Sequence, residues 1–446
     1  MKRIMHRSAA VLVLALALLA GLAIFVTKFA VSGEKWASSR INRGVYEGNA
    51  VAIGTVTDRN GEVLSGVYGG VRMFSANEKI RRATLHVVGD AAGNIGTGAL
   101  SAMVPQLIGY NAITGTYSLD GGGGTARMSI DAKLNVAAYD ALAGRSGAVI
   151  VVNYKTGETL CMVSSPTFDP ANPSEVDTDS PRYNGVYLNR TISSSYTPGS
   201  SFKLVTAAAA IEKIPGISGR TFDCDGSFEV GEGVVTCTSR HGKIDFDDAL
   251  AHSCNIAFAQ MALELGAETL HEYAAAYGFL EPLVIDGIRT AAGNYAMDGD
   301  GAFELAWSGA GQSKNLCSPV AMARFAAAIA NGGLAPKLTF EARSRLFGSA
   351  GTERVISAAT ARKLGEMMAY NVEETYGKAN FPGLELHAKS GTAEVRSDAE
   401  PHAWFVGYIE NEGFPLAFAV IVENGGGGQS VAGSVANKVL QAAISE

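Results

Sequence analysis

Residues 147–165 read GAVIVVNYKTGETLCMVSS. Two apolar, β-branched runs flank a Lys-Thr-Gly, too short for helices and bounded by turn chemistry. The spacing predicts two strands joined by a tight turn. Cys161 then sits inside the second strand as a small buried hydrophobe. Upstream, DAKLNVAAYDALAG (131–144) carries helical spacing. Downstream, a long loop leads to YTPGSSFKLVTAAAAIEK (196–213), where Pro198-Gly199 punctuates a turn and an alanine-rich helix follows. Helical patterns dominate 245–279, 318–331 and 357–370. Three strands then follow: LELHAKSGTAEV (384–395), HAWFVGYIE (402–410) and FPLAFAVIVE (414–423). A last helix covers about 430–444. Late strands joined by short turns must be antiparallel neighbours. Two early strands, three late strands and a helical insertion predict an α+β fold: a five-stranded antiparallel sheet flanked by helices, with a helical lobe across a cleft.

The 446 residues are 47% hydrophobic and 18% charged, a globular composition with length for two or three domains. The formal net charge is −7 and no basic patch stands out, which argues against a nucleic-acid partner. Residues 9–26, AAVLVLALALLAGLAIFV, hold no charged or polar side chain. At helical rise they cover about 27 Å, close to the bilayer hydrocarbon. A cleaved signal peptide is the competing reading, with AVS (30–32) as a cut site, but its apolar core is ordinarily about 7–15 residues. An uncleaved anchor fits the length better. Lys2, Arg3 and Arg7 precede the span and Lys28, Lys35, Arg40 and Arg43 follow it, so charge does not orient it. Between anchor and sheet, AVAIGTVTDRNGEVLSGVYG (50–69) places Asn60-Gly61 between apolar runs, a hairpin signal. Gly121–124 break the composition before the next segment.

Ser200 stands three residues before Lys203, on the same helix face and near the unpaired N–H groups of a helix start. A neutral Lys203 there could deprotonate the hydroxyl, the geometry of an S-x-x-K nucleophile. The spacing alone is weak, because SGEK (32–35) repeats it. AHSCNIAFAQ sets Ser253 and Asn255 between two helical patterns. AKSGTAE sets Lys389, Ser390, Gly391 and Thr392 on the first late strand, where glycine lets a ligand backbone approach. Decoys exist for these too: SAN (75–77), SKN (313–315) and KTG (155–157). What carries weight is the order S-x-x-K, S-x-N, K-[ST]-G, in the setting helix start, interhelical loop, strand. Together these resemble the penicillin-recognising serine acyltransferases.

The blocks DRNGEVL, IGYN, GAVIVVNYKTGETLCMVSSPTFDP, YTPGSSFK, HSCN, GAGQ and HAKSGTAE…HAWFVGY extend the resemblance over roughly residues 50–446. The chain is similar to class B penicillin-binding proteins, membrane-anchored monofunctional peptidoglycan D,D-transpeptidases. That resemblance implies a cytoplasmic tail at 1–8, a transmembrane anchor at 9–31, a pedestal at 32–127 and a transpeptidase domain at 128–446, with the catalytic body outside the cytoplasm. It implies Ser200 as nucleophile, Lys203 as base, Ser253 as proton relay, Asn255 on the substrate amide, and Lys389 as a second cation near the substrate carboxylate. Ser390, Gly391 and Thr392 would bind substrate, and the backbone N–H groups of Ser200 and Thr392 would form the oxyanion hole. The partners implied are stem peptides, β-lactams and a SEDS-family glycan polymerase. The chemistry needs no cofactor or metal. A β-lactamase, a β-lactam sensor and an idle scaffold are the alternatives.

Two further features are read from the residues. Cys161, Cys224, Cys237, Cys254 and Cys317 are odd in number. Cys224 and Cys237 flank DGSFEVGEGVVT, a hairpin pattern, and a disulfide between them is expected in an exported protein. Zinc on Cys224, Cys237, His241 and His252 is the rival, disfavoured because no C-x-x-C pair is present. ENGGGGQS (423–430) lacks the GK[ST] of a P-loop and reads as a flexible strand-to-helix turn.

Overall fold

The structure, a computed structural model, describes residues 2–37, 54–109, 123–177, 179–295, 301–342, 351–395 and 398–445. Tyr110 and Asn111 of the IGYN block, and Gly121 and Gly122, lie outside them. Helix α1 (Lys2–Ala37) contains a 31-residue stretch, Arg3–Gly33, whose most apolar 18-residue window has mean hydropathy 3.0 and packs against nothing. By length and composition it suffices to cross a membrane.

After it, β1 (Thr55–Thr57), β2 (Val63–Tyr68), β3 (Val71–Phe74) and β4 (Thr125–Arg127) form a small sheet in the order β3-β2-β1-β4. The Asn60-Gly61 turn joins β1 to β2 antiparallel. Asp58 Oδ1 accepts from the backbone N–H of Asn60 and Glu62, and Gly61 takes φ +92°, a left-handed conformation that favours glycine. Among the described residues, four short helices lie between β3 and β4, beginning with Glu78–Ala83, and the sequence reading missed them. Arg81 and Arg82 on the first of them form two-pronged ion pairs with Asp169 and Glu175, which fasten this part to the loop leading to Ser200. Those guanidinium contacts hold both carboxylates below their ordinary range.

The main sheet follows the expected pattern. Helix α2 (Ala132–Leu142) precedes β5 (Gly147–Asn153) and β6 (Thr159–Ser165), which pair antiparallel. Their turn closes because Asn153 Oδ1 accepts from the N–H of Lys155 and Thr156, and Gly157 supplies φ +78°. The helical lobe contributes α3 (Lys203–Lys213), strands β7 (Thr221–Cys224), β8 (Ser227–Val230), β9 (Gly233–Thr236) and β10 (Gly242–Asp245), then α4 (Phe246–Ala251) and α5 (Asn255–Leu265). Further on come α6 (Pro319–Ala330), α7 (Ala358–Asn371), β11 (Leu386–Ala393), β12 (His402–Ile409), β13 (Leu416–Val422) and α8 (Ser434–Ile444). The five long strands run β11-β12-β13-β5-β6, antiparallel throughout.

Alternation decides which residues face which layer. Val149, Val151, Cys161, Phe405 and Val420 point to α2 and α8. Ile150, Met162, Val406 and Ala419 point to α6, which is apolar all round except at Arg324 because it is sandwiched between sheet and lobe. Covered on both faces, β13 has no exposed residue, which explains its unbroken apolar sequence.

The cysteine expectation is corrected. All five thiols are free. Cys224 sits opposite Gly242, because β7 pairs with β10, while β8 and β9 make their own hairpin. Cys224 and Cys237 both turn their sulfurs to His241, not to each other.

Candidate active site

Ser200 lies in a 3₁₀ turn, Gly199–Phe202, that runs directly into α3. Gly199 has φ +53°, and a Cβ there would lie 2.6 Å from the Thr392 carbonyl oxygen, so the turn packs backbone to backbone against β11. Trp404 Nε1 donates to Thr197 O at 2.9 Å and pins the approach to that turn. One helical turn on, Lys203 is completely buried, with Nζ 3.0 Å from Ser200 Oγ.

The other partners of this amine come from the S-x-N segment. Lys203 Nζ lies 2.7 Å from Ser253 O, 3.1 Å from Ser253 Oγ and 2.7 Å from Asn255 Oδ1. Ser253 takes φ +55° in the bend between α4 and α5, an uncommon conformation for a non-glycine residue. That bend turns both its carbonyl and its hydroxyl toward the lysine. Asn255 opens α5 and donates Nδ2–H to Thr236 O at the end of β9 (2.9 Å), which leaves its oxygen for Lys203.

Lys389 reaches the same hydroxyl from β11: its Nζ is 3.1 Å from Ser253 Oγ and 3.0 Å from Ser390 O. Strand alternation places Lys389 beside Glu385 and His387 on a half-exposed face, yet it is only 1% exposed. The helical lobe covers this end of the strand. Burial pushes Lys203 down to about 8, against a smaller upward pull from Cys237 and Cys254. Burial first, and then the charge of Lys203, push Lys389 well below the ordinary lysine value.

Ser390 is held by a tyrosine. Tyr376 OH donates to Ser390 Oγ at 2.8 Å and accepts from Ser390 N at 2.6 Å. Thr392 Oγ1 accepts from Gly428 N at 3.3 Å, and Gln312 Nε2 donates to Thr392 O at 3.4 Å. Gly391 packs against the serine turn. A Cβ on it would lie 2.6 Å from Pro198 O and 3.1 Å from Ser201 N. Its missing side chain makes room for that turn. Gly428 likewise stands where a Cβ would meet Gly391 O at 2.4 Å, so ENGGGGQS packs on the K-S-G strand and is more than a loose turn.

Ser200, Ser253, Asn255, Ser390, Thr392 and Gln312 line one cleft of about 650 Å³, with Trp307 also in its wall. Sequence reasoning placed seven of its eight candidates at this cleft or one hydrogen bond behind it, with Gly391 against the serine turn. It missed Tyr376, whose segment VEETY carries no motif, and it gave no role to Trp404 or Gly428. Two of the decoys fall elsewhere: Lys155–Gly157 is the β5–β6 turn and Ser75 lies beside β3.

A hydroxyl paired with a buried amine, a second amine sharing a bridging hydroxyl, and a hydroxyl-lined strand edge are the apparatus of serine acyl transfer. The chain belongs to the penicillin-binding-protein transpeptidase family, whose domain matches residues 147–441. Within that family its relatives are of the class B kind. It is 30% identical over 359 residues to the peptidoglycan D,D-transpeptidase PbpA of Mycobacterium tuberculosis, covering 72% of this chain and 73% of that protein. It is 29% identical over 323 residues to penicillin-binding protein 3 of Bacillus subtilis, covering 67% and 47%. In three dimensions it resembles a D,D-transpeptidase domain from Eggerthella lenta, with 28% identity, TM-score 0.76 and coverage of 88% and 98%. It also resembles the penicillin G acyl-enzyme complex of penicillin-binding protein A from M. tuberculosis, with 26% identity, TM-score 0.73 and coverage of 88% and 99%.

Proposed function

We propose that the protein is a peptidoglycan D,D-transpeptidase acting through a Ser200 acyl-enzyme, and that β-lactams acylate the same oxygen. The observation that carries the proposal is the set of partners around Lys203 Nζ. Two of its four neighbours, Ser253 O and Asn255 Oδ1, are carbonyl oxygens that only accept. A neutral amine satisfies them with its two N–H groups. Its lone pair is then left for a hydroxyl, and Ser200 Oγ stands 3.0 Å away. Lys203 is in this way a base held ready.

In acylation the Ser200 Oγ–C bond forms, the C–N bond to the terminal D-Ala breaks, and the serine proton passes through Lys203 and Ser253 to the leaving amine. In transfer an acceptor amine attacks the ester, a C–N bond forms, the C–O bond breaks and Ser200 recovers its proton. The peptide carboxylate would favour the charged form of Lys389, and that charge would hold Lys203 neutral. Ser390 and Thr392 would bond the carboxylate, Asn255 the peptide amide, and the N–H groups of Ser200 and Thr392 the oxyanion. Donors of that kind contribute about 3–4 kcal/mol each.

The division into an anchor at 9–31, a pedestal at 32–127 and a catalytic domain at 128–446 belongs to the same reading. So do an extracytoplasmic catalytic domain and a SEDS-type membrane polymerase contacted through anchor and pedestal. Nucleic acid has no part in it.

Labelling with a fluorescent penicillin is the test. Wild type is expected to label and Ser200→Ala to stay dark; labelling that survives the substitution removes the nucleophile. Release of penicilloic acid then separates a transpeptidase from a β-lactamase of the same fold. An acyl-enzyme lasting many minutes, a barrier above about 21 kcal/mol, is expected. Several turnovers per second would make the protein a β-lactamase.

A further inference from the structure

Directly behind Asn255, four ligand-type side chains converge from separate parts of the lobe. Cys224 ends β7, Cys237 follows β9, His241 stands just before β10, and Cys254 is the N-cap of α5. Their three sulfurs and one ring nitrogen all lie within 4.8 Å of one another. The separations are specific. His241 Nδ1 is 3.4 Å from Cys224 Sγ and 3.5 Å from Cys237 Sγ, and the sulfurs of Cys237 and Cys254 are 3.9 Å apart. Bonds of about 2.3 Å to sulfur and about 2.0–2.1 Å to nitrogen, arranged tetrahedrally, give edges of about 3.6 Å for S···N and about 3.8 Å for S···S. Three of the six edges match a tetrahedron around a metal ion, and the other three are no longer than 4.8 Å.

We infer that Cys224, Cys237, His241 and Cys254 form a closed, structural Cys₃His site for zinc. The set differs from the one weighed on sequence. His252 stacks on the outside of the His241 ring, centroids 5.8 Å apart, and Cys254 takes the fourth position. A disulfide fits the arrangement less well: a sulfur–sulfur bond is about 2.05 Å, and forming one leaves the imidazole nitrogen facing no partner that needs it. Backbone N–H groups already point at two of the sulfurs, Asn255 N at Cys237 Sγ (3.3 Å) and Ala257 N at Cys254 Sγ (3.5 Å), as surrounding donors do for metal-bound thiolates. Binding would release three thiol protons and leave the site with one net negative charge.

The placement gives the metal a task. Cys254 lies between Ser253 and Asn255, Cys237 accepts from the Asn255 backbone, and the Asn255 side chain donates to Thr236, the residue before Cys237. A tetrahedral clip at this point fixes the S-x-N segment against β9 and so holds three of the four contacts of Lys203. Zinc would therefore act as a positioning group, touching no substrate.

The experiment uses the full chain purified in detergent without chelator, and its first readout is independent of the penicillin chemistry. Elemental analysis is expected to find about one equivalent of zinc. Cobalt(II) exchanged into the protein is expected to show intense tetrahedral d–d bands with sulfur-to-cobalt charge transfer. Cys224→Ser and His241→Ala should lose the metal and label with penicillin about tenfold more slowly or worse, while His241→Cys should keep both. Purified wild type holding under about a tenth of an equivalent, with two of these cysteines bridged in non-reduced peptides, overturns the inference. So does full zinc retention in both metal-ligand variants. Should either variant fail to fold, the wild-type metal content and the cobalt spectrum still decide. Absent zinc with normal acylation would refute the metal site alone and leave the transpeptidase reading in place.

Discussion

Ser200 and Lys203 were legible at the scale of single residues because their spacing encodes a shared helix face, and because ordered partners downstream outweigh the decoys. Legibility ended where burial took over. Alternation set Lys389 on a half-exposed face, but tertiary contact with the lobe covers it, and no period in a strand reports what another lobe will cover. The same burial makes a pH prediction. The folded state holds Lys203 near 8 where a free lysine titrates at 10.5. Between those values the unfolded chain binds the extra proton, so this group's contribution to stability rises with pH across that window. For catalysis the neutral form is the active one. Penicillin acylation is therefore expected to climb about fivefold from pH 7 to pH 8 and to level off above about 9, as the neutral fraction dictates. Stopped-flow acylation rates measure it. A flat profile from pH 6.5 to 9 would show that Lys203 does not carry the titrating proton.

Elements with strong periodicity were read correctly: all five long strands, α6 and α7 stand where β-branched runs and helical spacing put them. The four short helices between β3 and β4 were not, because elements of four to six residues span barely one period and are fixed by packing. Tyr376 was missed for a related reason. It lies in a five-residue π-turn after α7, in a polar stretch with no pattern, and only the fold brings its hydroxyl to Ser390. Close packing between elements is also what Gly391 provides. Its Cα side faces the serine turn, and a methyl group there would press on Pro198 O at 2.6 Å, a backbone atom with no rotamer to yield. Gly391→Ala should therefore push β11 and the Ser200 turn apart. Acylation is expected to fall by about two orders of magnitude, as a displacement of about 1 Å can cost, with thermal stability lowered by about 1–3 kcal/mol. Acylation at the wild-type rate would mean that the turn can move away without harm.

At the scale of the whole molecule, one element among the described residues does not fit a water-soluble body. Leu12, Leu14, Leu18 and Val31 on α1 are 61%, 69%, 73% and 75% exposed, whereas the sheet and α6 bury nearly every apolar side chain they own. Each Leu or Val left in water forgoes about 1.5–3 kcal/mol, so the helix needs an apolar phase that the rest of the chain does not supply. A bilayer supplies it, and a helix satisfies every internal backbone hydrogen bond in doing so. The core, by contrast, closes on itself without α1: both faces of the main sheet are covered by α2, α8 and α6, and the hydrogen bonds described above around Ser200 come from residues 197–428. Anchoring and acyl transfer should therefore separate. Full-length protein is expected in the membrane fraction, resistant to carbonate and released by detergent. A chain lacking residues 1–37 is expected in the soluble fraction, labelling with penicillin at a rate within about twofold of the full-length protein, the scatter ordinary for a change remote from a site. A truncated chain that is soluble and folded but no longer acylated would mean that the helix takes part in shaping the site, and that the membrane is a component of the catalyst and not only its address.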